Sequence, residues 1–230
     1  ALNEKNEVKA LQPTAEGYLY CMDHMLAGSE DSRFEGHNLI FQDEIFNNAI
    51  NRMKRMYNSA ISENAEYSYR DETHLFNEGK LAIYINGVWG APMISKQIDA
   101  KYALLPTDGG ESMSCISSGL GYVLGNSGNE EKEKAAVKFL KYMLSKKVQT
   151  KILEKTEQIP ANPDISLESY KESKSRLYQA ATLVLETDEK IEVPNNIWSA
   201  EQKDYFIKTI FDVLTGTLSI QEFEEGLENK

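Results

Sequence analysis

Few stretches of this 230-residue chain carry residue types that do chemistry. The most informative is Phe76-Asn-Glu-Gly-Lys-Leu-Ala-Ile-Tyr-Ile-Asn-Gly-Val-Trp89. Its pattern predicts a helix end broken by Gly79, a mostly buried strand over Leu81–Ile85 and a turn at Asn86-Gly87. Trp89 follows at once. A large aromatic just past a strand end, on a turn, sits where ligand-contacting residues gather, although a core position would also account for it. A second candidate is Glu16-Gly-Tyr18-Leu-Tyr20, in a loop or first helical turn beyond the short apolar run Val8–Pro13. Here a carboxylate that accepts hydrogen bonds stands beside an aromatic face. A solvated acid next to two core tyrosines is the competing reading. Trp198 directly precedes Ser199-Ala-Glu-Gln202, which has the form of a capping box. The staple position holds Lys203, so Trp198 is expected to lack a local partner and to reach a cleft.

Bond-making chemistry finds less support. His24, His37 and His74 stand alone, without H-x-x-x-H spacing or a cysteine pairing, so no metal site or cofactor is expected. Neither a G-x-S-x-G elbow nor a phosphate loop is present, and among 36 acids no spacing singles out a catalytic pair. Cys21 and Cys115 are too few for a disulfide scaffold and read as free, buried thiols. The net charge of −11 leaves no basic footprint for nucleic acid or anionic lipid. No apolar run is long enough to span a membrane.

The elements that must position these residues follow from periodicity. Ile45, Phe46, Ala49, Ile50, Met53, Tyr57 and Ala60 form one apolar stripe of a helix that Asp43 is suited to cap. Ser62–Asp71 is polar and reads as loop. Asn129 caps a helix that should bury Ala135, Ala136, Phe139, Leu140, Met143 and Leu144, with Lys146 and Lys147 at its negative end. The stretch from Ser166 to Glu186 reads as helical, and Ser199–Gln202 and Ser219–Glu222 open two further helices, the first ended by Gly216.

Five of these stretches occur in an order that resembles the extracellular solute-binding proteins of sugar ABC importers, the maltose-binding-protein-like family. They are the F-x-x-G-K-x-A-x-x-x-x-G-x-W run at Phe76–Trp89, Tyr102-Ala-Leu-Leu-Pro-Thr107, Ser118-Gly-Leu-Gly-Tyr-Val-Leu124, the helix with Ala136, Phe139 and Leu140, and Glu157-Gln-Ile-Pro-Ala-Asn162. Glu157 stands where the family often has Gly, so that turn is expected to differ.

The resemblance implies a type II periplasmic-binding-protein-like α/β fold, with a C-terminal lobe and an incomplete N-terminal lobe. Residues 1–101 and 157–230 would form the C-terminal lobe, and 102–156 would cross to the other. It implies a non-catalytic binder that captures an oligosaccharide and hands it to ABC permease subunits, outside the cell, as a surface lipoprotein or in the periplasm. The site residues it implies are Glu16, Tyr18, Trp89 and Trp198, with Gly17 where the maltose-binding branch has proline. A glycoside-processing enzyme and a surface interaction module remain alternatives. Because the first matched residues already belong to the second lobe, the chain is expected to be a fragment, weak in sugar binding and prone to dimerise.

Overall fold

The computed structural model describes residues 9–11, 13–27, 44–60, 68–106, 114–116, 121–188 and 190–230. The expectations that fall on His37, Asp43, residues 62–67 of the polar loop and residues 118–120 lie outside them. The chain divides into two compact units. Unit 1 comprises Ala1–Asn86, Ile94–Ser117 and Thr187–Lys230, and unit 2 comprises Gly87–Met93 and Ser118–Glu186.

Unit 1 is built on helices around short parallel strand pairs. Strand β1 (Lys9–Leu11) leads into α1 (Ala15–Ala27), α2 (Glu44–Ala60) and α3 (Tyr69–Asn77), then β2 (Leu81–Ile83), which pairs parallel with β1. A parallel pair needs such a helical crossover. Strand β3 (Ser114–Ile116) pairs parallel with β4 (Lys190–Glu192), and α7 (Ala200–Thr215) and α8 (Ile220–Glu228) end the chain. The expected stripe of α2 is observed, with Phe46, Ala49, Ile50, Met53 and Tyr57 buried. Phe223 of α8 anchors the core, with ring centroids 5.6 Å from Phe206, 5.9 Å from Tyr205 and 6.4 Å from Phe46. Both capping boxes form: Ser199 with Gln202 and Ser219 with Glu222.

Helix α3 begins earlier than its polar sequence suggests, because Ser68 and Asp71 make a third capping box. It ends as expected. Gly79 adopts φ +72°, and the N–H groups of Gly79 and Lys80 return to the carbonyls of Phe76 and Leu75, a Schellman closure. The strand that follows is less buried than expected: Leu81 is enclosed, but Ile83 is 52% exposed. Residues 102–105 form no strand.

Unit 2 has a small core of Leu153, Ile165 and Leu177. Helix α4 (Glu130–Met143) is capped by Asn129, whose side chain accepts the N–H of Lys132 at 3.1 Å. None of its residues is buried, and Phe139 is 56% exposed, contrary to the expected burial of its apolar face. Lys146 and Lys147 do not close α4. They open α5 (Lys146–Thr156), capped by Ser145. The helix expected from Ser166 is a 3₁₀ turn, Leu167–Tyr170, followed by α6 (Ser175–Leu185). Residues 157–186 therefore group with 118–156 rather than with the C-terminal helices, because α5, the 3₁₀ turn and α6 share one core.

Glu157 ends α5 in the left-handed region, φ +53° and ψ +33°, the conformation a glycine would take without cost. The turn is thus kept despite the substitution. The Glu157 carboxylate accepts from Lys174 Nζ at 2.7 Å, a largely screened-off ion pair that offsets the backbone cost. Removing the partner should uncover that cost: in a Lys174→Ala background, Glu157→Gly is expected to raise stability by about 1 kcal/mol. Urea titration of the two variants measures the difference.

Candidate functional site

The N-terminus of α1 is fixed by Thr14, whose hydroxyl oxygen accepts the N–H of Gly17 at 3.1 Å, while its carbonyl accepts the N–H of Tyr18 at 2.9 Å. Glu16 lies in this first turn, half-buried, near the positive end of the helix dipole, where a carboxylate is favoured. Beneath it is Glu72 of α3, only 1% exposed. Burial pushes the Glu72 carboxyl up to about 8, with a smaller push from Glu16, against a hydrogen bond from the Thr14 backbone that pulls it down. Its Oε1 has no hydrogen-bond partner among the described residues.

A carboxyl raised by burial beside a second carboxyl is one sign of an acid in glycoside hydrolysis. The geometry argues against that role here. An acid enclosed to this degree cannot reach a glycosidic oxygen, so Glu72 acts on the helix end rather than on a ligand.

Sequence reading missed a polar network in the same unit. Asn86 donates through Nδ2 to the hydroxyls of Tyr69, at 2.7 Å, and of Tyr84. Thr73 donates to the Tyr69 carbonyl at 2.9 Å, so its oxygen receives the Tyr84 hydroxyl at 2.8 Å. Phe76 stacks on the Tyr84 ring at 5.4 Å. Tyr20 of α1 belongs to the same neighbourhood. Burial raises its phenol, and Tyr69 and Glu16 add to the shift. A signal was available: Tyr69 and Thr73 are four apart on one helix face, and Tyr84 and Asn86 alternate on one face of an extended segment.

Of the four residues singled out by sequence, two keep accessible surface. Trp89 is 51% exposed, in the 3₁₀ turn Val88–Met93 of unit 2, and Glu16 is half-buried in unit 1. The other two are core. Tyr18 is fully buried, edge-on to Phe211 at 5.8 Å, and burial raises its phenol well above the ordinary range. It offers no ring face to a ligand. Trp198 is 5% exposed, with its ring 5.7 Å from Phe206, so its partner lies two turns into α7 rather than at the staple position.

The remaining constellation is His24 with Cys115, 3.7 Å between Nδ1 and Sγ. Burial pushes the thiol up to about 12 and lowers the imidazole. Neither group holds the charge that a thiolate–imidazolium nucleophile requires. Both cysteines are free. Among the described residues no group of three or more His, Cys, Asp or Glu is arranged to hold a metal ion. No helix there is long and apolar enough to cross a membrane.

The model of the bacterial extracellular solute-binding protein family matches residues 12–181. The chain belongs to this family. Solved structures that share its fold include the following three. A Streptococcus pneumoniae solute-binding protein in complex with the blood group A-trisaccharide is 21% identical with a TM-score of 0.77, covering 99% of this chain and 60% of its own. The maltose/maltodextrin-binding domain MalE from Bdellovibrio bacteriovorus, bound to maltotriose, is 21% identical with a TM-score of 0.71, covering 100% and 61%. A cyclo/maltodextrin-binding protein complexed with maltotetraose is 13% identical with a TM-score of 0.60, covering 94% and 55%. The solute-binding chain thus has the α/β fold of these proteins and spans less than two thirds of their length. No curated protein matches the sequence.

The buried acids of this solute-binding protein set a pH dependence. Glu72 titrates near 8 and Asp23 near 6 in the folded state, both above their ordinary values. The folded state then binds protons more tightly, so stability is fully present below about pH 4 and is lost as pH rises through 6 and 8. Urea unfolding should give a higher midpoint at pH 5 than at pH 8.5. Glu72→Gln, neutral at both, should stabilise at pH 8.5 by on the order of 2 kcal/mol and flatten the profile.

Proposed function

We propose that this chain is the ligand-binding part of an extracellular solute-binding protein that captures an oligosaccharide, without catalysis, for an ABC importer. The observation that carries this reading is Trp89, a large aromatic left half-exposed on a turn within a solute-binding fold. Indole faces cover the C–H side of sugar rings, and leaving one in water is costly without a ligand to cover it. The similar structures were each solved with an oligosaccharide, which supports the same class of ligand. Within unit 1, Glu16 offers hydroxyl acceptors, and Tyr20, Tyr69, Tyr84 and Asn86 offer mixed donors and acceptors of the kind that sort sugars by hydroxyl position.

In this reading unit 1 belongs to one lobe and unit 2 to the other, and the ABC permease subunits receive the loaded protein outside the cytoplasm. Surface anchoring as a lipoprotein or release into a periplasm are both compatible with it.

Calorimetric titration of the full-length protein with maltotriose and blood group A-trisaccharide, extended by a glycan array, tests the proposal. Trp89→Ala should cost about 2 kcal/mol of affinity for the sugar that binds, as truncation of a hot-spot aromatic does. Glu16→Gln should weaken binding by about tenfold, the loss of a charged acceptor. Unchanged affinity in Trp89→Ala would remove the tryptophan from the site. Release of shorter sugars from a bound oligosaccharide would replace the binder by an enzyme.

A further inference from the structure

Gly87 and Trp89 are separated by one residue, yet the geometry between them is tighter than chain connectivity demands. The Gly87 carbonyl accepts the N–H of Gly90 at 2.9 Å, which starts the 3₁₀ turn Val88–Met93. This bond tightens the turn, and the Trp89 ring folds back against Gly87. A Cβ placed on Gly87 would sit 2.2 Å from both Cη2 and Cζ3 of Trp89 and 2.5 Å from Cε3. The benzenoid half of the indole therefore fills the space where any side chain at 87 would begin. The glycine is not required by its backbone angles, since Gly79, Gly128 and Gly216 are the positive-φ glycines among the described residues. It is required by close approach alone.

We infer that Gly87 is the positioning residue for Trp89: its bare Cα is the floor on which the indole rests, and this contact sets the pose in which the ring meets a sugar. The turn is held from its other side. Helix α6 packs against it, and small residues are buried in both elements, Gly90 and Ala91 in the turn and Ala180 and Ala181 in the helix. A rigid turn with a flat floor leaves the ring little choice of rotamer, so less of the binding energy goes into ordering it. The inference rests on the reading of Trp89 as the sugar platform, but the hold on the ring can be measured without sugar.

The decisive variant is Gly87→Ala in the full-length protein, paired with Trp89→Phe to subtract the buried Trp198. The difference spectra isolate Trp89. Its near-ultraviolet circular dichroism should collapse and its acrylamide quenching should change in Gly87→Ala, with far-ultraviolet dichroism unaltered. A Trp89 signal identical to that of the wild type would overturn the inference. Folding provides a second measure. If the methyl meets only the indole, any stability lost in Gly87→Ala should vanish when the same change is made in a Trp89→Ala background. A loss of equal size in both backgrounds would overturn the inference through a different contact.

Maltotriose titration then separates this inference from the function it rests on. A signal change with affinity lowered about tenfold, the loss expected of a misplaced hot spot, supports both. A changed Trp89 signal with maltotriose and blood group A-trisaccharide bound as in the wild type supports the positioning role and overturns the platform.

Discussion

The burial of α1 is the constraint on which unit 1 depends. Most of its side chains are enclosed, from Tyr18 to Ala27, against α2, α7, β3 and the 3₁₀ turn Pro194–Ile197. A helix covered on so many sides must satisfy its polar groups inside the protein. Asp23 does so across a large sequence separation, accepting hydrogen bonds from the Asn195 backbone, at 2.8 Å, and from its side chain. That interaction ties the first helix to the segment that leads into α7 and α8. Two nearby groups are satisfied less fully: the Tyr18 hydroxyl and Glu72 Oε1 have no hydrogen-bond partner among the described residues. Burial without compensation shifts the protons instead, which is why the Glu72 carboxyl stays protonated near neutrality.

The same constraint places the accessible chemistry at the start of α1. Once Tyr18, Cys21, Met22 and Leu26 have turned inward, the first turn is where this helix can present a carboxylate to solvent. Glu16 is there because Thr14 caps the helix at that point and the dipole favours negative charge beside it. Packing thus selects one acid as surface chemistry and another, Glu72, as structure. Charge type does not distinguish them, whereas enclosure does.

Local chemistry was legible in the sequence wherever the signal was local. The capping boxes at Ser199 and Ser219, the stripe of α2 and the glycine closures at Gly79 and Gly216 depend on residues within a few positions of one another. The ordered motifs identified the family for the same reason, each being a short run. What failed was any judgement that needed a distant partner. Tyr18 read as a ligand contact from its place beside Glu16, and Trp198 from its lack of a staple partner; Phe211 and Phe206 pack against them in space. The apolar face of α4 read as core because its period is that of a buried helix, yet periodicity shows only that a face is fit for burial. Leu153, Ile165 and Leu177 form their core elsewhere in unit 2, and Phe139 stays in solvent. The Tyr69–Tyr84–Asn86 network was hidden for a related reason: it joins a helix face to a strand face, and each half alone is an ordinary polar pattern.

The two tryptophans differ sharply in exposure. Both stand at a turn, so sequence treats them alike. Trp198 has a ring partner in Phe206 and a large core to enter. Trp89 is flanked by Val88 and Gly90, with Gly87 and Ala91 one position further, and three of these four are too small to cover an indole. Small neighbours leave the ring supported on one side and half in water. An apolar surface of that size held open by a rigid turn loses hydrophobic stabilisation that a larger neighbour would recover. In the proposed function that loss is tolerable, because the platform would be ready before the ligand arrives. A ring that had to leave a core contact in order to bind would forfeit that contact each time, and the affinity with it.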